Sequence, residues 1–173
     1  MFSFFLKFDG EDALQGEEQD GWIEVLSFSW GLTNEGPRGN GGSGGAGRVN
    51  VQDLNFTKHT DKASPNLMLA CATGQHIKKA TLEAREAADE NALTAEVAGA
   101  ANLPAVQMEL LLTDIMVTNF VIKGEQKADN PIPSESLSLN FSKIEFSERY
   151  QKADGQLSDP VRVGWDIKAN KKA

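Results

Sequence analysis

The chain has 173 residues and a formal net charge of −8, a length that one domain fills while burying roughly 70% of its unfolded surface. A content of 40% apolar residues with 9 phenylalanines describes a globular chain. The acidity excludes duplex DNA or RNA as partner, because phosphate backbones call for clustered Lys and Arg. The single cysteine, Cys71, excludes an internal disulfide and points to a reducing cytoplasm. The N-terminus is apolar but too soon charged for a secretory signal, and no run approaches the ~20 apolar residues of a membrane helix. No membrane insertion is expected, and any exit from the cell is expected without a cleaved signal peptide.

Phe2, Phe4, Leu6 and Phe8 alternate with Ser3, Phe5 and Lys7 and predict a first strand, which Asp9-Gly10 ends. After an acidic loop over 11–21, residues 22–30 read as a second strand. Leu26, Phe28 and Trp30 lie on its core side, with Ile23, Val25, Ser27 and Ser29 opposite. Residues 31–47 are glycine-rich. Gly39, Gly41 and Gly44 satisfy a G-x-G-x-x-G pattern, as do Gly42, Gly44 and Gly47, but a strand follows rather than a helix, so no dinucleotide site is implied. A loop of this length in a compact domain is uncommon and often contacts something.

Val49, Val51, Leu54 and Phe56 belong to a third strand. Ser64 as N-cap, Pro65 in the first turn and Gly74 as stop predict a short helix over 65–73, with Leu67, Met68 and Cys71 on its apolar side. Residues 78–84 form a fourth strand. The Ala- and Glu-rich stretch after it, with Leu93 and Val97 four apart, gives a second helix only a thin apolar face. Val106, Met108, Leu110 and Leu112 make a fifth strand. The sixth, over 115–122, is apolar on both sides, with Ile115, Val117 and Val121 against Met116, Phe120 and Ile122. One helix cannot cover both faces, so a partner subunit is expected on the other, with Met116, Phe120 and Ile122 as candidate interface residues. An open, doubly apolar strand is an aggregation hazard unless it pairs, which points to a closed cyclic oligomer through a heterologous interface.

The last third is built on alternation. Leu137, Leu139 and Phe141 alternate with Ser138, Asn140 and Ser142, and the phase then slips to Ile144 and Phe146, as a β-bulge near Ser142–Lys143 would cause. Val161, Val163, Trp165, Ile167 and Ala169 then predict a long strand over 161–169 with one buried face. Lys152-Ala153-Asp154-Gly155 marks the turn between the two. A long, bent hairpin of this kind closes a barrel.

No catalytic constellation is present. His59 and His76 flank the helix without zinc-ligand spacing to Cys71, and Cys71 has no adjacent base and reads as a small buried hydrophobe. The sequence shows no G-x-S-x-G and no acidic pair in a motif context. The sequons at Asn55 and Asn140 fall in strands. The reading is therefore not an enzyme, with no catalytic residue, cofactor or metal.

Several segments together resemble the haemolysin-coregulated (Hcp) tube proteins of bacterial type VI secretion. They are Ile23-Glu24-Val25-Leu26-Ser27-Phe28-Ser29-Trp30-Gly31, the glycine-rich loop into Gly47-Arg48-Val49-Asn50-Val51-Gln52-Asp53-Leu54, and Asp61-Lys62-Ala63-Ser64-Pro65-Asn66-Leu67. Glu135-Ser136-Leu137-Ser138-Leu139-Asn140-Phe141, Gln151-Lys152-Ala153-Asp154-Gly155 and Gly164-Trp165-Asp166-Ile167 complete the set. The resemblance spans nearly the whole of 1–173, read as a single domain. It implies a mainly β fold, a two-sheet antiparallel β-barrel with one short α-helix, assembled into a hexameric ring. Such rings stack into the inner tube of a contractile injection machine, beside its sheath and spike. The tube is made in the bacterial cytoplasm and expelled into a neighbouring cell, with small effector proteins carried in the lumen.

By the same resemblance Gly39, Gly41, Gly42, Gly44 and Gly45 belong to an extended inter-ring loop, and Ser27 and Ser29 face lumen and cargo. The stretch 86–104 is a longer, Ala-rich departure from the family's short Gly-containing turn there. The chain stops just past the last strand, so no fused C-terminal toxin domain is expected. The competing reading is a stand-alone barrel that binds a sugar or peptide through Trp22, Trp30 and Trp165. Trp30 and Trp165 lie on the apolar faces of their strands, which favours core packing over that use.

Overall fold

A computed structural model describes residues 2–34, 36, 49–86, 106–126 and 132–173. The expected 86–104 insertion lies, but for Glu86, outside the described residues, as do the named glycines of the 31–47 loop. In chain order the strands are β1 (Phe2–Asp9), β2 (Ile23–Val25), β3 (Ser27–Ser29), β4 (Leu32–Asn34), β5 (Val49–Val51) and β6 (Leu54–His59). After helix α1 (Ser64–Thr73) come β7 (Ile77–Glu86), β8 (Val106–Lys123), β9 (Ser134–Glu148), β10 (Val161–Asp166) and β11 (Lys171–Lys172). All pairing between named strands is antiparallel. Among the described residues the fold is mainly β with one α-helix.

Two strands organise it. β8 has 18 residues and β9 has 15, and each serves two neighbourhoods. The first half of β8 pairs β7 while the second half pairs, among the described residues, only β9. The first half of β9 also pairs β6, and its second half pairs β10. The resulting 9-stranded sheet runs β11-β10-β9-β8-β7-β1-β2, with β6 and β3 branching from β9, and β4–β5 form a separate ribbon. One apolar core joins both neighbourhoods and the helix, from Leu6, Phe8 and Ile23 through Leu67 and Ala70 to Leu54, Leu112, Leu137 and Leu139.

The expected barrel does not close among the described residues. The strand foreseen over 22–30 breaks at Leu26, so that β2 joins β1 while β3 joins β6. Ile23 and Val25 are buried and Leu26 is exposed, the reverse of the expected phase. The strands foreseen as fifth and sixth are one continuous β8, with Asp114 at φ 55 absorbing what looked like an interruption. The expected bulge near Ser142–Lys143 is absent, since pairing runs evenly from Thr113↔Lys143 to Ile115↔Phe141. Both strands instead change their buried phase together there. Leu110 and Leu112 give way to Ile115 and Val117 in β8, and Ile144 to Phe141 in β9. Two strands folding over in step produce the same slip as an extra residue would.

Two further expectations change. In β10, Val161 and Val163 are 63% and 54% exposed, and the strand stops at Asp166 rather than running to Ala169. In α1, Leu67 and Ala70 are the buried pair and Met68 is exposed. Ser64 is the first helical residue rather than the cap. Its Oγ accepts from the Asp61 backbone N–H at 3.0 Å, while Asp61 Oδ1 accepts from the Ala63 N–H at 2.9 Å. Gly74 does end the helix, at φ 66. The turn at Gly155 forms as foreseen, at φ 83.

Asp114 pins the fold-over. Its carboxylate accepts from Lys168 Nζ at 2.7 Å, Ser142 Oγ at 2.5 Å and His76 Nδ1 at 2.9 Å, which ties the helix exit, β9 and the β10–β11 turn to β8. Hydrogen bonds from Lys168, then Ser142, then His76 hold its carboxyl below the usual carboxylate range. Such a depressed group contributes stability that is whole above the unfolded value of about 3.9 and fades as pH falls below it. Asp114→Asn is therefore expected to melt below the parent at neutral pH, with the gap narrowing from pH ~4 downwards in thermal scans. A gap independent of pH would show that the carboxylate charge plays no part.

Candidate functional site: an open-edged sheet with a hydroxyl face

β3, β6, the first half of β9 and the second half of β8 lie side by side, and the pairing aligns their residues in rows. Phe28, Phe56, Leu137 and Phe120 form one row, which faces the core. The flanking rows look the other way. One is Ser27, Thr57, Ser136 and Val121, the other Ser29, Asn55, Ser138 and Asn119. These two rows carry no charge, and hydroxyls or amides fill all but one of their places. Ser27 Oγ and Thr57 Oγ1 are 2.6 Å apart, and Ser138 Oγ donates to Asn55 Oδ1 at 2.5 Å, so neighbouring strands are cross-linked along the rows. The face keeps a shallow depression of about 210 Å³ between Ser27, Asn55 and Asn119.

Ser27 and Ser29, singled out from sequence, sit together on this face and are exposed. Asn55, Thr57, Ser136, Ser138 and Asn119 were not singled out. Their signal was present in the alternation of Asn55 and Thr57 against Leu54 and Phe56, and of Ser136 and Ser138 against Leu137. The candidate interface residues do not share a face. Strand alternation sets Met116, opposite Asn140, away from Val117, whereas Phe120 and Ile122 stand opposite the buried Leu137 and Glu135 on the core side.

Among the described residues, the outer strands of this sheet lack a second neighbour: β3 pairs only β6, and residues 116–123 of β8 pair only β9. At the second edge Val121 and Ile122 are exposed, Ile122 at 56%. Behind that edge lies a buried ion pair. Lys58 Nζ, on a side chain with 0% exposure, donates to Glu135 Oε2 at 2.9 Å, Asp61 Oδ1 at 2.9 Å, Ser64 Oγ at 3.1 Å and the His59 carbonyl at 2.8 Å. Four acceptors around one ammonium compensate its loss of water.

The tryptophans are otherwise engaged. The Arg85 guanidinium lies 4.2 Å from the Trp22 ring centre and 4.6 Å from that of Phe5, so Trp22 is covered by a cation. Trp30 and Trp165 pack against the core. They also line an apolar groove of about 560 Å³ with Leu32, Val49, Phe146 and Val163, onto which the outward face of β10 opens. Among the described residues no group of three or more His, Cys, Asp or Glu could hold a metal ion. No helix there is long and apolar enough to cross a membrane.

A family model described as "Type VI secretion system effector, Hcp" matches residues 5–147. The chain is 37% identical over 172 residues to Protein hcp1 of Pseudomonas aeruginosa, covering 97% of this chain and 93% of that protein. Among solved structures it is similar to Hcp1 from Salmonella typhimurium, with TM-score 0.70, 28% identity and 99% of each chain covered. A further type six secretion system protein shares the fold across 100% of both chains, with TM-score 0.82 and 24% identity. Fold, sequence and family model agree, and the chain belongs to the Hcp family of type VI secretion proteins.

Proposed function

We propose that this chain is the ring-forming subunit of a type VI secretion inner tube, with the hydroxyl face turned to the lumen. The observation that carries the reading is the four-stranded sheet with, among the described residues, a free edge on each side. β3 and β8 are antiparallel across it, because each of the three intervening pairings is antiparallel. The free edge of β8 in one copy therefore meets β3 of the next as one more antiparallel joint. Repeated around an axis, the joint is heterologous and closes into a ring whose wall is a continuous sheet. Six copies are the number that the family resemblance implies.

In such a ring one face of the sheet carries each subunit's core and the other lines the channel. The two central rows, short uncharged hydroxyls and amides but for Val121, leave room for a guest protein and offer it hydrogen bonds. Ser27 and Ser29 are the residues that we assign to cargo contact, and Ile122 and Phe120, with Met116 nearby, to the subunit joint. Gly39, Gly41, Gly42, Gly44 and Gly45 are assigned to contact between stacked rings. Sheath and spike components are the tube's partners. Expulsion through the secretion machine, from a cytoplasmic pool and without a signal peptide, follows from the same reading, as does a structural rather than enzymatic role.

The test is native mass spectrometry with negative-stain imaging of the purified chain, alone and with Ser29→Gln. Six-copy rings with an open centre are expected in both, and co-purified effector is expected to fall in Ser29→Gln because the longer amide crowds the wall. Monomer alone across micromolar concentrations would overturn the ring. Rings with undiminished cargo in Ser29→Gln would overturn the lumen assignment.

A further inference from the structure

The face that each residue of the β8 edge presents is decided at one position. β8 and β9 pair one to one from Ile115↔Phe141 to Val117↔Leu139, and then the register shifts, so that Asn119 meets Ser138 and Thr118 is left without a partner in β9. A strand repeats every two residues, so one extra residue exchanges the faces of everything beyond it. With the bulge, Phe120 completes the core row beside Leu137, and Asn119 completes the hydroxyl row beside Ser138. Continuing the earlier register without it would place Asn119 beside Leu137 in the core. Phe120 would then stand beside Ser136 on the hydroxyl face.

Thr118 is held in place. Its Oγ1 donates to Asp53 Oδ2 at 2.7 Å and lies 3.3 Å from the Ser138 carbonyl. The other carboxylate oxygen, Asp53 Oδ1, accepts from Asn140 Nδ2 at 2.9 Å, and the Asp53 carbonyl accepts from Asn55 Nδ2 at 3.3 Å. One residue just before β6 thus grips the bulge in β8 and the strand opposite it. A hydrogen bond to a carboxylate is among the stronger kinds.

We propose that Asp53 and Thr118 form a register lock. By holding the one-residue bulge, they keep aromatic rings off the hydroxyl face and set the phase in which the free edge of β8 meets the next copy. The consequence for assembly rests on the ring reading above. The lock itself is a property of the single chain.

The experiment reads the two separately. In a Cys71→Ala background, Asn119→Cys and Phe120→Cys are labelled with a maleimide, and in parallel ring content is measured by native mass spectrometry. With Thr118 intact, Asn119→Cys is expected to react at least about tenfold faster than Phe120→Cys, as an open row differs from a packed one. Deleting Thr118 is expected to reverse that order. Thr118→Val keeps the residue count and loses the bond to Asp53. It is expected to shrink the labelling contrast and to lower the ring fraction about tenfold, the scale of one hydrogen bond to a charged group. Thr118→Ser is expected to restore both.

If the deletion fails to fold, Thr118→Val and its serine rescue decide. Unchanged contrast and unchanged rings in Thr118→Val overturn the lock. Contrast that responds as expected in a protein that never forms rings upholds the lock and overturns the ring reading.

Discussion

Replacing Lys58 with methionine is expected to cost the fold about 3–5 kcal/mol, the usual penalty for removing one partner of a buried ion pair. The geometry explains the size. Glu135 has 0% side-chain exposure, and its Oε2 is held at 2.9 Å by Lys58 Nζ. Among the described residues its Oε1 has no hydrogen-bond partner of its own. Methionine fills the volume of the lysine stem but leaves that carboxylate dry and uncompensated. For a domain of this size the loss is a drop of about 10 °C in melting temperature. Lys58→Met combined with Glu135→Leu removes both charges and is expected to regain most of the loss, because a well-packed apolar pair is often as stable as a buried ionic one. Differential scanning calorimetry of the parent and both variants checks this. A single variant that melts with the parent would show that the pair contributes nothing to stability.

Ile122→Lys is expected to abolish ring formation while leaving the monomer's melting point nearly unchanged. Ile122 is 56% exposed on the free edge of β8, so a lysine there keeps its ammonium in water within one chain, a change worth less than about 0.5 kcal/mol. In the proposed ring the same position is pressed against the next subunit's β3, where an unpaired charge must lose its water. Edge lysines are a common device by which sheets avoid pairing with one another. Size-exclusion chromatography should give monomer for Ile122→Lys and rings for the conservative Ile122→Val. Rings at the parental level in Ile122→Lys would remove β8 from the joint.

The strands of this chain were legible because alternation is a local signal. β1, β7 and the inward row Leu137, Leu139 and Phe141 read correctly from it, and so did the placing of Ser27 and Ser29 opposite Phe28. Alternation shows that two faces differ without showing what covers the apolar one. Val161 and Val163 alternate with polar residues as a buried face would, yet both are exposed, Val163 along the groove. Leu26 failed for a different reason. There the chain leaves β1 for β6, and a change of partner is invisible in the residues that make it.

The site was legible in part. Lys58 shares the parity of Leu54 and Phe56, and Glu135 that of Leu137, an inward signal that the sequence reading does not take up. Residue type alone, read without a partner, conceals that. The bulge at Thr118 has no sequence signature, because its cause is a carboxylate from a distant element. Asn119 and Phe120 consequently exchange the faces that simple alternation gave them.

The order of strand pairing carries a consequence for how the chain matures on the ribosome. β1, the first strand made, finds its partners in β2 and in β7 at Ile77–Glu86, and β6 waits for β9 at Ser134–Glu148. For much of synthesis the nascent protein therefore carries apolar strands whose neighbours do not yet exist. Pairings this distant in sequence are slow to form, on the millisecond-to-second scale typical of non-local β topologies. Unpaired edges on a nascent chain invite premature association. The same edge chemistry that is proposed to join finished subunits is thus a hazard during manufacture, and high-level expression is expected to need a chaperone or low temperature before it needs any assembly partner.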